Sequence, residues 1–274
     1  MTDQKILDLR EQANNIKDMY ATKAAMGNFS ALLMAPRGHG KTTTLGTCPG
    51  PVLVDMFDPR GSVVLEKLYP DLIKSGMLLI RPWWGDSAKR PTKYAEWDRQ
   101  FQADLRSGFF NNFGTYGFDS YTTFQQILAN YLGNKGQSAK LDTGALAMSA
   151  YQPLYATMYD IVNLISAQDC NFIMTAHLVA EQDGLTGEIS MDIDAFKGMR
   201  SKLPSMFSEK YAMMIKKGTS DNEHFIVTKN YKKYTASTQL GAGGTFETLE
   251  EPNFRKLLKK AGFPYEDKPS LFGG

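Results

Sequence analysis

A glycine-rich stretch near residue 40 carries one lysine and three consecutive threonines, a combination suited to binding phosphate groups. Residues 35–42 read APRGHGKT and match the pattern GxxxxGK followed by Ser or Thr, except that alanine replaces the first glycine. Between a buried strand and a helix, the backbone N–H groups of such a loop turn inward and surround anionic oxygens. The alternative is a chance match in a glycine-rich turn. We predict that the loop binds a nucleotide through Ala35, Pro36, Arg37, Gly38, His39, Gly40, Lys41, Thr42 and Thr43.

Individual residues of this loop have distinct predicted roles. Gly38 and Gly40 let the backbone approach the phosphates closely, and Lys41 reaches the β- and γ-phosphates. The Thr42 hydroxyl is predicted to ligate Mg²⁺. A second acid for the metal is expected at the end of a neighbouring strand, and Asp119 in YGFDSYTTF has that position. The alternative role for Asp119 is the N-cap of the helix that TTFQQILANYL predicts.

Other polar residues also follow predicted strands. NFIMTAH ends in His177, which would point into the crevice where α/β sheets bind ligands and would sense the γ-phosphate or orient the attacking water. A histidine that bonds only to nearby backbone is the alternative. Asp55 and Asp58 end another strand, and one of them could act as the general base toward water. We select Asp58, with a simple turn acid as the alternative.

These residues need a scaffold, and short apolar runs bounded by turn residues predict its buried parallel strands. The runs are residues 30–35, 51–57, 77–80, 171–177 and 211–215, with a weaker one at 113–118 before Asp119. Helical patterns lie between several of them, the clearest at 151–168 with Pro153 in its first turn. Alternating strands and helices predict an α/β fold with a mainly parallel central sheet flanked by helices.

Both ends of the chain differ from this pattern. Residues 1–27 predict a helical arm that packs either on its own domain or on a neighbouring subunit, and residues 28–274 are assigned to one domain. The apolar face of the arm consists of Ile6, Leu9, Ala13, Ile16 and Tyr20. Near the other end, HFIVTKN and KKYTAST predict a β hairpin, and PNFRKLLKKAGF predicts a short amphipathic helix.

Two polar stretches predict loops. Residues 133–144 are glycine-bearing, and residues 181–204 are long for a connection inside a compact domain. A loop of that length is usually functional or disordered.

Composition excludes several classes of protein. With 42% hydrophobic and 22% charged residues in a chain of 274, the sequence is typical of a globular protein. The net charge of +2 does not by itself indicate a nucleic-acid-binding protein. The charged start does not predict a secretory signal, and no apolar run reaches the roughly 20 residues of a membrane span. We therefore expect a cytoplasmic protein without a membrane partner, in which Cys48 and Cys170 are reduced.

The motifs also form an ordered set. APRGHGKTTT, PVLVDMFDPRG, FDSYTTF and NFIMTAHL are followed by KLPSMFSEKY and YTASTQLGAGGTFETLEEPNFRKLLKKAGF. This order resembles the RecA-like P-loop ATPases encoded by bacteriophages, some of which are single-strand annealing recombinases. The resemblance covers about residues 28–265. It implies a RecA-like P-loop NTPase fold with a β-rich C-terminal hairpin, and ATP with Mg²⁺ as ligands. It also implies hydrolysis that is slow without polynucleotide, and a location in the host cytoplasm.

The resemblance further implies homo-oligomers, as rings or filaments, in which the nucleotide lies near a subunit boundary. A cation from the neighbouring subunit would then complete the site, and a solvated charge cluster is the alternative for the same residues. The candidate cations are Lys216, Lys217, Lys229, Lys232 and Lys233.

Single-stranded DNA is the partner that the resemblance implies, through loops corresponding to the segment after His177. That segment contains three cations, Lys197, Arg200 and Lys202. It also contains five acids whose negative charge repels DNA: Glu181, Asp183, Glu188, Asp192 and Asp194. Phe196 is its one aromatic residue for base stacking. This composition argues against DNA contact by the segment.

Two alternative functions remain open. The ATPase part of phage terminases shares APRGHGKT, which favours a stand-alone DNA-packaging motor. The mild charge, the acidic long segment and the N-terminal helix instead favour a nucleotide-gated assembly module in which hydrolysis is incidental.

Overall fold

The computed structural model describes residues 3–25, 28–135, 148–182, 184, 186–218, 221–241 and 244–272. The strands are β1 (Ser30–Ala35), β2 (Val52–Met56), β3 (Leu78–Pro82), β4 (Thr115–Asp119), β5 (Asn171–Gln182), β6 (Ile189–Ile193), β7 (Glu209–Lys217), β8 (Asn222–Val227) and β9 (Leu249–Glu250). The helices are α1 (Asp3–Ala25), α2 (Lys41–Leu45), α3 (Ser62–Leu68), α4 (Pro70–Lys74), α5 (Lys93–Ser107), α6 (Tyr121–Lys135), α7 (Met148–Ser166), α8 (Lys197–Ser205) and α9 (Phe254–Ala261).

The described strands form one mixed sheet in the order β3-β2-β4-β5-β1-β7-β8-β9, and β6 pairs with β5 outside this path. The six neighbouring strands β3, β2, β4, β5, β1 and β7 are parallel to one another. Strands β6, β8 and β9 are antiparallel to the strands with which they pair. Strand β1 lies near the centre, between β5 and β7, which explains why SALLMA is almost continuously apolar. The predicted fold class is confirmed, since the mostly parallel sheet is flanked by helices.

Helices cover both faces of the sheet and enclose two hydrophobic cores. One core contains Trp97 of α5, Phe124 of α6, Met158 of α7 and Leu203 of α8. The other contains Leu45 of α2, Leu65 of α3 and Leu257 of α9. Successive residues of β1 alternate between the two cores, so this strand is held from both sides and gives the following loop a rigid base.

Strand register brings the candidate residues to one edge of the sheet. Ala35 at the end of β1 pairs with His177 in β5, and Met56 at the end of β2 pairs with Asp119 at the end of β4. Because these strands are parallel, their carboxyl ends lie side by side.

The predicted loop at residues 181–204 is wrong, because most of this segment has regular structure. Strand β5 continues to Gln182, beyond the edge of the central sheet, and the alternating residues of ISMDI form β6 against it. Helix α8 then packs Met199 and Leu203 into the core. The pairing of β6 with the extension of β5 satisfies backbone groups that a free loop would leave to water. Of the other predicted loop, residues 133–135 belong to α6 and 136–144 lie outside the described residues.

The C-terminal hairpin exists, but its strands are not the predicted ones. Strand β8 pairs antiparallel with β7 on one side and with β9 on the other. The segment KKYTAST instead makes isolated bridges, between Tyr231 and Tyr234 and between Lys210 and Ser237. Lys232, with a φ of 51°, lies in the tight turn that Tyr231 and Tyr234 close. HFIVTKN has no ladder with KKYTAST because its strand already pairs with β7 and β9.

Two predicted helices differ in detail. Helix α7 begins at Met148, so Pro153 lies inside the helix rather than in its first turn. In α1, the apolar face does not pack on the domain over its described part. Ile6 is half-buried, Leu9 is 50% exposed and Ile16 is 55% exposed, while the Tyr20 side chain lies outside the described residues.

Helix α9 follows the prediction, since Asn253 caps it and Gly262, with a φ of 75°, ends it. Cys48 and Cys170 are both buried free thiols. No helix among the described residues combines the length and the apolar character that a bilayer crossing needs.

Candidate nucleotide-binding site

The glycine-rich loop connects the end of β1 to the start of α2. Gly38 has a φ of 76° and Gly40 a φ of 94°, backbone conformations that favour glycine. A Cβ on Gly40 would lie 3.3 Å from Met213 Cε and 3.4 Å from His224 Nδ1, so β7 and β8 approach the loop closely. The two glycines therefore give the loop its conformation, and the predicted strand–loop–helix order is present.

Lys41 is buried at the centre of the site, with all of its hydrogen-bonding capacity in use. Its Nζ donates to the carbonyls of Ala35 at 2.9 Å and Pro36 at 3.2 Å, and lies 3.0 Å from His177 Nδ1. Burial lowers the pKa of Lys41 to about 8, while the carboxylates of Asp119 and Asp58 oppose that shift. An anion that enters the site meets an ammonium group that is already desolvated.

His177 links Lys41 to Asp58. Because an ammonium group has only donors, Nδ1 of His177 accepts from Lys41 and the ring proton lies on Nε2. This proton is donated to Asp58 Oδ2 at 3.0 Å. The backbone N–H of His177 donates to the Thr122 hydroxyl, which fixes the end of β5 against the start of α6.

Asp58 accepts three hydrogen bonds. Its other oxygen, Oδ1, accepts from the hydroxyls of Ser120, at 2.7 Å, and Thr123. Burial would raise the pKa of Asp58, but the hydrogen bonds from His177, Thr123 and Ser120 outweigh burial and lower it to about 2. A carboxylate with so low a pKa is a weak proton acceptor, which argues against the predicted role of Asp58 as general base. Its hydrogen bond from His177 Nε2 instead favours a role in orienting the ring of His177.

Asp119 and Thr42 lie together on the other side of Lys41. The Thr42 hydroxyl donates to Asp119 Oδ2 at 2.7 Å, and the Thr175 hydroxyl donates to Oδ1. Asp119 is fully buried, and burial is the main cause of its raised pKa. The alternative N-cap role is not what its side chain does here, since both carboxylate oxygens bond to hydroxyls.

The paired oxygens of Thr42 and Asp119 fit Mg²⁺. This ion prefers oxygen ligands and usually binds through one or two protein groups, with phosphates and water supplying the rest. Among the described residues there is no cluster of three or more His, Cys, Asp or Glu that could hold a metal ion by itself. The donor set therefore suits a nucleotide-bound Mg²⁺ rather than a site built from protein ligands alone.

A cavity of about 350 Å³ opens between the loop and the ends of β2 and β5. Its lining includes Gly38, Lys41, Thr42, Asp58 and His177. Residues from three distant parts of the sequence thus line one cavity at the carboxyl ends of the parallel strands.

A family model described as AAA domain matches residues 28–239. The chain belongs to this AAA domain family.

The family match and the glycine-rich loop together make this chain a nucleotide-binding domain of the P-loop ATPase type. The crystal structure of flagellar accessory protein FlaH from Methanocaldococcus jannaschii is also similar to this chain. That match has 11% sequence identity and a TM-score of 0.39, and covers 80% of this chain and 88% of the other. A comparison with curated proteins gave no match.

Asp55, the other acid considered as a base, lies outside the cavity of the AAA domain. It is fully buried and accepts hydrogen bonds from Arg81 at 2.7 Å, Tyr116 at 2.7 Å and Trp97 at 2.8 Å, and from Trp83 at 3.0 Å. These bonds tie β2 to β3, β4 and α5. Asp55 therefore has a structural role, since its oxygens already have donors and no access to solvent.

Thr43 and His39 of the loop make backbone contacts and do not line the cavity, whereas Arg37 does. The Thr43 carbonyl accepts from the Tyr69 hydroxyl, and the His39 carbonyl lies 3.1 Å from His224 Nδ1. Arg37 lines the cavity mouth beside Pro59 and Gly61. Arg60, between those two residues, has a φ of 59°, which is unusual for a residue with a side chain.

Sequence reasoning missed several residues that hold the site of the AAA domain. Thr175 could have been found, because it precedes His177 by two residues and so shares a face of β5. Thr122 and Thr123 follow Asp119 by three and four residues, at the start of α6, and the sequence pattern does not predict their contacts. For His224 the sequence offers no signal, since β8 reaches the loop only through its pairing with β7.

Four of the five lysines predicted to act on a neighbouring subunit have side chains that contact their own chain here. Lys229 Nζ donates to the Phe246 carbonyl at 2.8 Å, and Lys216 Nζ lies 4.7 Å from the Phe225 ring centroid. Lys232 and Lys233 lie over Tyr231 and Tyr234. Their role toward a second subunit stays a prediction.

Proposed function

We propose that this AAA domain hydrolyses ATP with Mg²⁺ and acts on single-stranded DNA in recombination, annealing or replication, as a phage-encoded protein. The observation that carries the catalytic part is the hydrogen-bonded chain from Lys41 through His177 to Asp58, beside the Thr42–Asp119 pair. These contacts bring the ammonium group of Lys41, the imidazole ring of His177 and the oxygens of Thr42 and Asp119 close together. In this proposal the oxygens hold the metal ion. The order of the motifs in the sequence supports the DNA partner and the phage origin.

The residues of the site have distinct roles in this proposal. The loop amides and Lys41 hold the β- and γ-phosphates, and Thr42 and Asp119 hold Mg²⁺. When bound, Mg²⁺ neutralises negative charge on the phosphate oxygens. His177 faces the γ-phosphate end and orients the attacking water, and Asp58 fixes the ring of His177 through Nε2.

Lys41 has to exchange partners when ATP enters. Its three donors now bond to Ala35, Pro36 and His177, and phosphate oxygens are stronger acceptors than these groups. If Lys41 turns to the phosphates, Nδ1 of His177 loses its donor and becomes available to a water molecule. Nucleotide binding and the exposure of His177 to water are thereby coupled.

The test is ATP hydrolysis measured alone, with single-stranded DNA and with duplex DNA. We expect slow turnover alone and stimulation by the single strand, with DNA binding that weakens as salt increases. Absence of hydrolysis under all three conditions would contradict the catalytic part. If polynucleotide changes neither the rate of hydrolysis nor the oligomeric state, only the DNA part of the proposal is contradicted.

A second function, a nucleotide-gated assembly module, is favoured by the exposed apolar residues of α1. Leu9 and Ile16 are each at least half exposed on a helix whose described part leaves its apolar face uncovered. Such a face is usually covered by a partner. Sizing the protein with and without ATP and Mg²⁺, before and after removal of residues 1–26, separates the two functions. If the arm mediates assembly, its removal abolishes the nucleotide-dependent change in size.

A further inference from the structure

A groove between α7 and α8 contains aromatic and basic side chains that the nucleotide site does not use. Tyr151, Tyr155 and Tyr159 follow one another at four-residue intervals and lie along one side of α7. Lys197 and Lys202 face them from α8, and two adjoining cavities of about 450 and 470 Å³ both include Tyr155 in their lining. We call the groove formed by these five residues the tyrosine groove.

The three tyrosines remain accessible although α7 is well packed. Leu154, Met158 and Ile161 of the same helix are buried in the core, whereas Tyr159 is 55% exposed. Tyr151 and Tyr155 are half-buried. These exposed ring surfaces are not needed to cover the core, which leaves them available to a ligand.

Packing holds the rings of Tyr151 and Tyr155 in place. The Phe196 ring meets Tyr151 edge to face, with 5.5 Å between centroids. A Cβ on Gly198 would lie only 2.1 Å from the Tyr155 hydroxyl, so α8 approaches this tyrosine as closely as glycine allows. A binding surface with fixed rings loses little conformational entropy when a ligand arrives.

The lysines of the groove are not neutralised by the protein. Within the described residues, Lys197 and Lys202 take part in no salt bridge, and Lys202 Nζ lies 4.4 Å from the Tyr155 ring centroid. Arg200, between them in sequence, instead pairs with Glu181 and Asp192. Asp160 is the one charged residue in the sequence of α7 and lies near Tyr159, so the two lysines leave the groove net positive.

We propose that the tyrosine groove binds single-stranded DNA, with bases stacked on the tyrosines and phosphates near Lys197 and Lys202. The proposal rests on the proposed function for the choice of a polynucleotide partner, and it names the surface. Every base can stack on an aromatic ring, and lysines that form no salt bridge can pair with the phosphates of the DNA backbone. Of the acids at residues 181–194, Glu181 and Asp192 pair with Arg200 at the β5–β6 hairpin rather than with Lys197 or Lys202.

The wall of the groove is bonded to the nucleotide site. The Phe196 N–H donates to Gln125 Oε1 at 3.0 Å, and Gln125 Nε2 donates to the Asp194 carbonyl at 2.9 Å. The Asp194 N–H in turn donates to the His177 carbonyl at 2.9 Å. A strand that binds against Tyr151 and Phe196 therefore contacts a segment attached to His177, and we expect it to change the rate of hydrolysis.

The experiment measures binding of a fluorescent oligothymidylate to the full chain by anisotropy at several salt concentrations. Tyr159→Ala should weaken binding about tenfold, the loss expected for one base stack. Lys202→Gln should lower the slope of log affinity against log salt by about 0.7, as for one phosphate contact to a single strand. Tyr131→Ala and Lys135→Gln are the matched controls, because this pair on α6 has the same arrangement, with Lys135 Nζ 4.6 Å from the Tyr131 centroid.

A second readout locates the DNA directly. An oligonucleotide that carries 5-iodouracil should cross-link under ultraviolet light to a peptide containing Tyr151, Tyr155 or Tyr159. Tyr159→Ala should keep its ATP hydrolysis without DNA and lose most of the stimulation by the single strand. Tyr159 is exposed and distant in sequence from the ATP loop, so the variant is expected to fold.

The outcomes separate the surface from the function. If the wild-type protein binds the oligonucleotide but Tyr159→Ala and Lys202→Gln behave like the controls, the groove is wrong and the proposed function stands. Cross-links confined to other peptides overturn the groove in the same way. If the wild-type protein hydrolyses ATP but binds no single strand, both the DNA partner and the groove are rejected, while the ATPase remains.

Discussion

Lys41 Nζ lies 3.0 Å from His177 Nδ1, which joins the glycine-rich loop to the end of β5. The two residues are 136 positions apart in sequence and meet because β1 and β5 are parallel neighbours with Ala35 opposite His177. The lysine thus bonds to a set of acceptors that a phosphate has to replace. The proposed exchange of these partners for phosphate leads to the first prediction.

Lys41→Ala should remove most nucleotide affinity and leave the fold intact. Hydrogen bonds to charged groups contribute about 1.5–3 kcal/mol, so ATP binding should weaken by roughly 10- to 100-fold. Isothermal titration with a non-hydrolysable ATP analogue measures the affinity, and circular dichroism checks the fold. Lys74→Ala, at an exposed position of α4, is the control. Unchanged affinity in Lys41→Ala would mean that the loop does not hold the phosphates.

Thr42→Val should remove the Mg²⁺ dependence of nucleotide binding. The substitution keeps the shape of the side chain but deletes the hydroxyl that donates to Asp119 Oδ2 at 2.7 Å. We expect Mg²⁺ to strengthen ATP binding by at least about tenfold in the wild-type protein and hardly at all in the variant. Thr92→Val, at an exposed position outside the cavity lining, is the control. If both variants respond equally to Mg²⁺, Thr42 is not a metal ligand.

Asp58→Asn should reveal a stability contribution that disappears in acid. A carboxylate whose pKa is lowered to about 2 in the folded protein stabilises it above the pKa of the unfolded chain, and this contribution is lost as the pH falls from about 4 toward 2. The difference in the free energy of unfolding between wild type and variant should therefore shrink by about 2 kcal/mol over that interval. Urea unfolding at neutral pH and in stepwise more acidic buffers measures it.

Asp71→Asn is the control for this pH dependence, since Asp71 is exposed on α4. A difference for Asp58→Asn that does not change between neutral and acidic pH would argue against the hydrogen bonds from His177, Ser120 and Thr123.

Gly40→Ala should cost more stability than Gly38→Ala. Both residues have positive φ, which costs a residue with a side chain about 1–2 kcal/mol. A Cβ on Gly40 also meets Met213 and His224, whereas one on Gly38 meets no atom within 4 Å. Urea unfolding of both variants tests this order, and equal costs would mean that β7 and β8 yield to the loop.

Much of the site could be predicted because its central element is local in sequence. Residues 35–42 are contiguous, and glycines, Lys41 and Thr42 act at fixed spacing in one turn between a strand and a helix. Asp119 and His177 could be placed too, since apolar runs mark buried strands and parallel strands end at one edge. The contacts of these residues agree with that placement, while their chemical roles await the experiments above.

Other features depended on which strands and helices become neighbours, and side-chain periodicity does not encode that choice. Asp55 and Asp58 look alike in sequence, yet one lies beneath the sheet edge among Arg81, Trp97 and Tyr116, and the other holds His177. The pairing of β8 with β7 and of β6 with β5 was not predicted from the sequence either. Each pairing depends on backbone groups that the central sheet leaves unpaired.

The sequence by itself determined the phosphate-binding loop, the α/β class and the strand ends that carry polar residues, because these follow from short-range pattern. The tertiary structure decided which acid faces the cavity, and it brought the tyrosines of α7 next to the lysines of α8. The physical reason is that long-range packing selects partners by the surfaces left to bury, which no local window of residues contains.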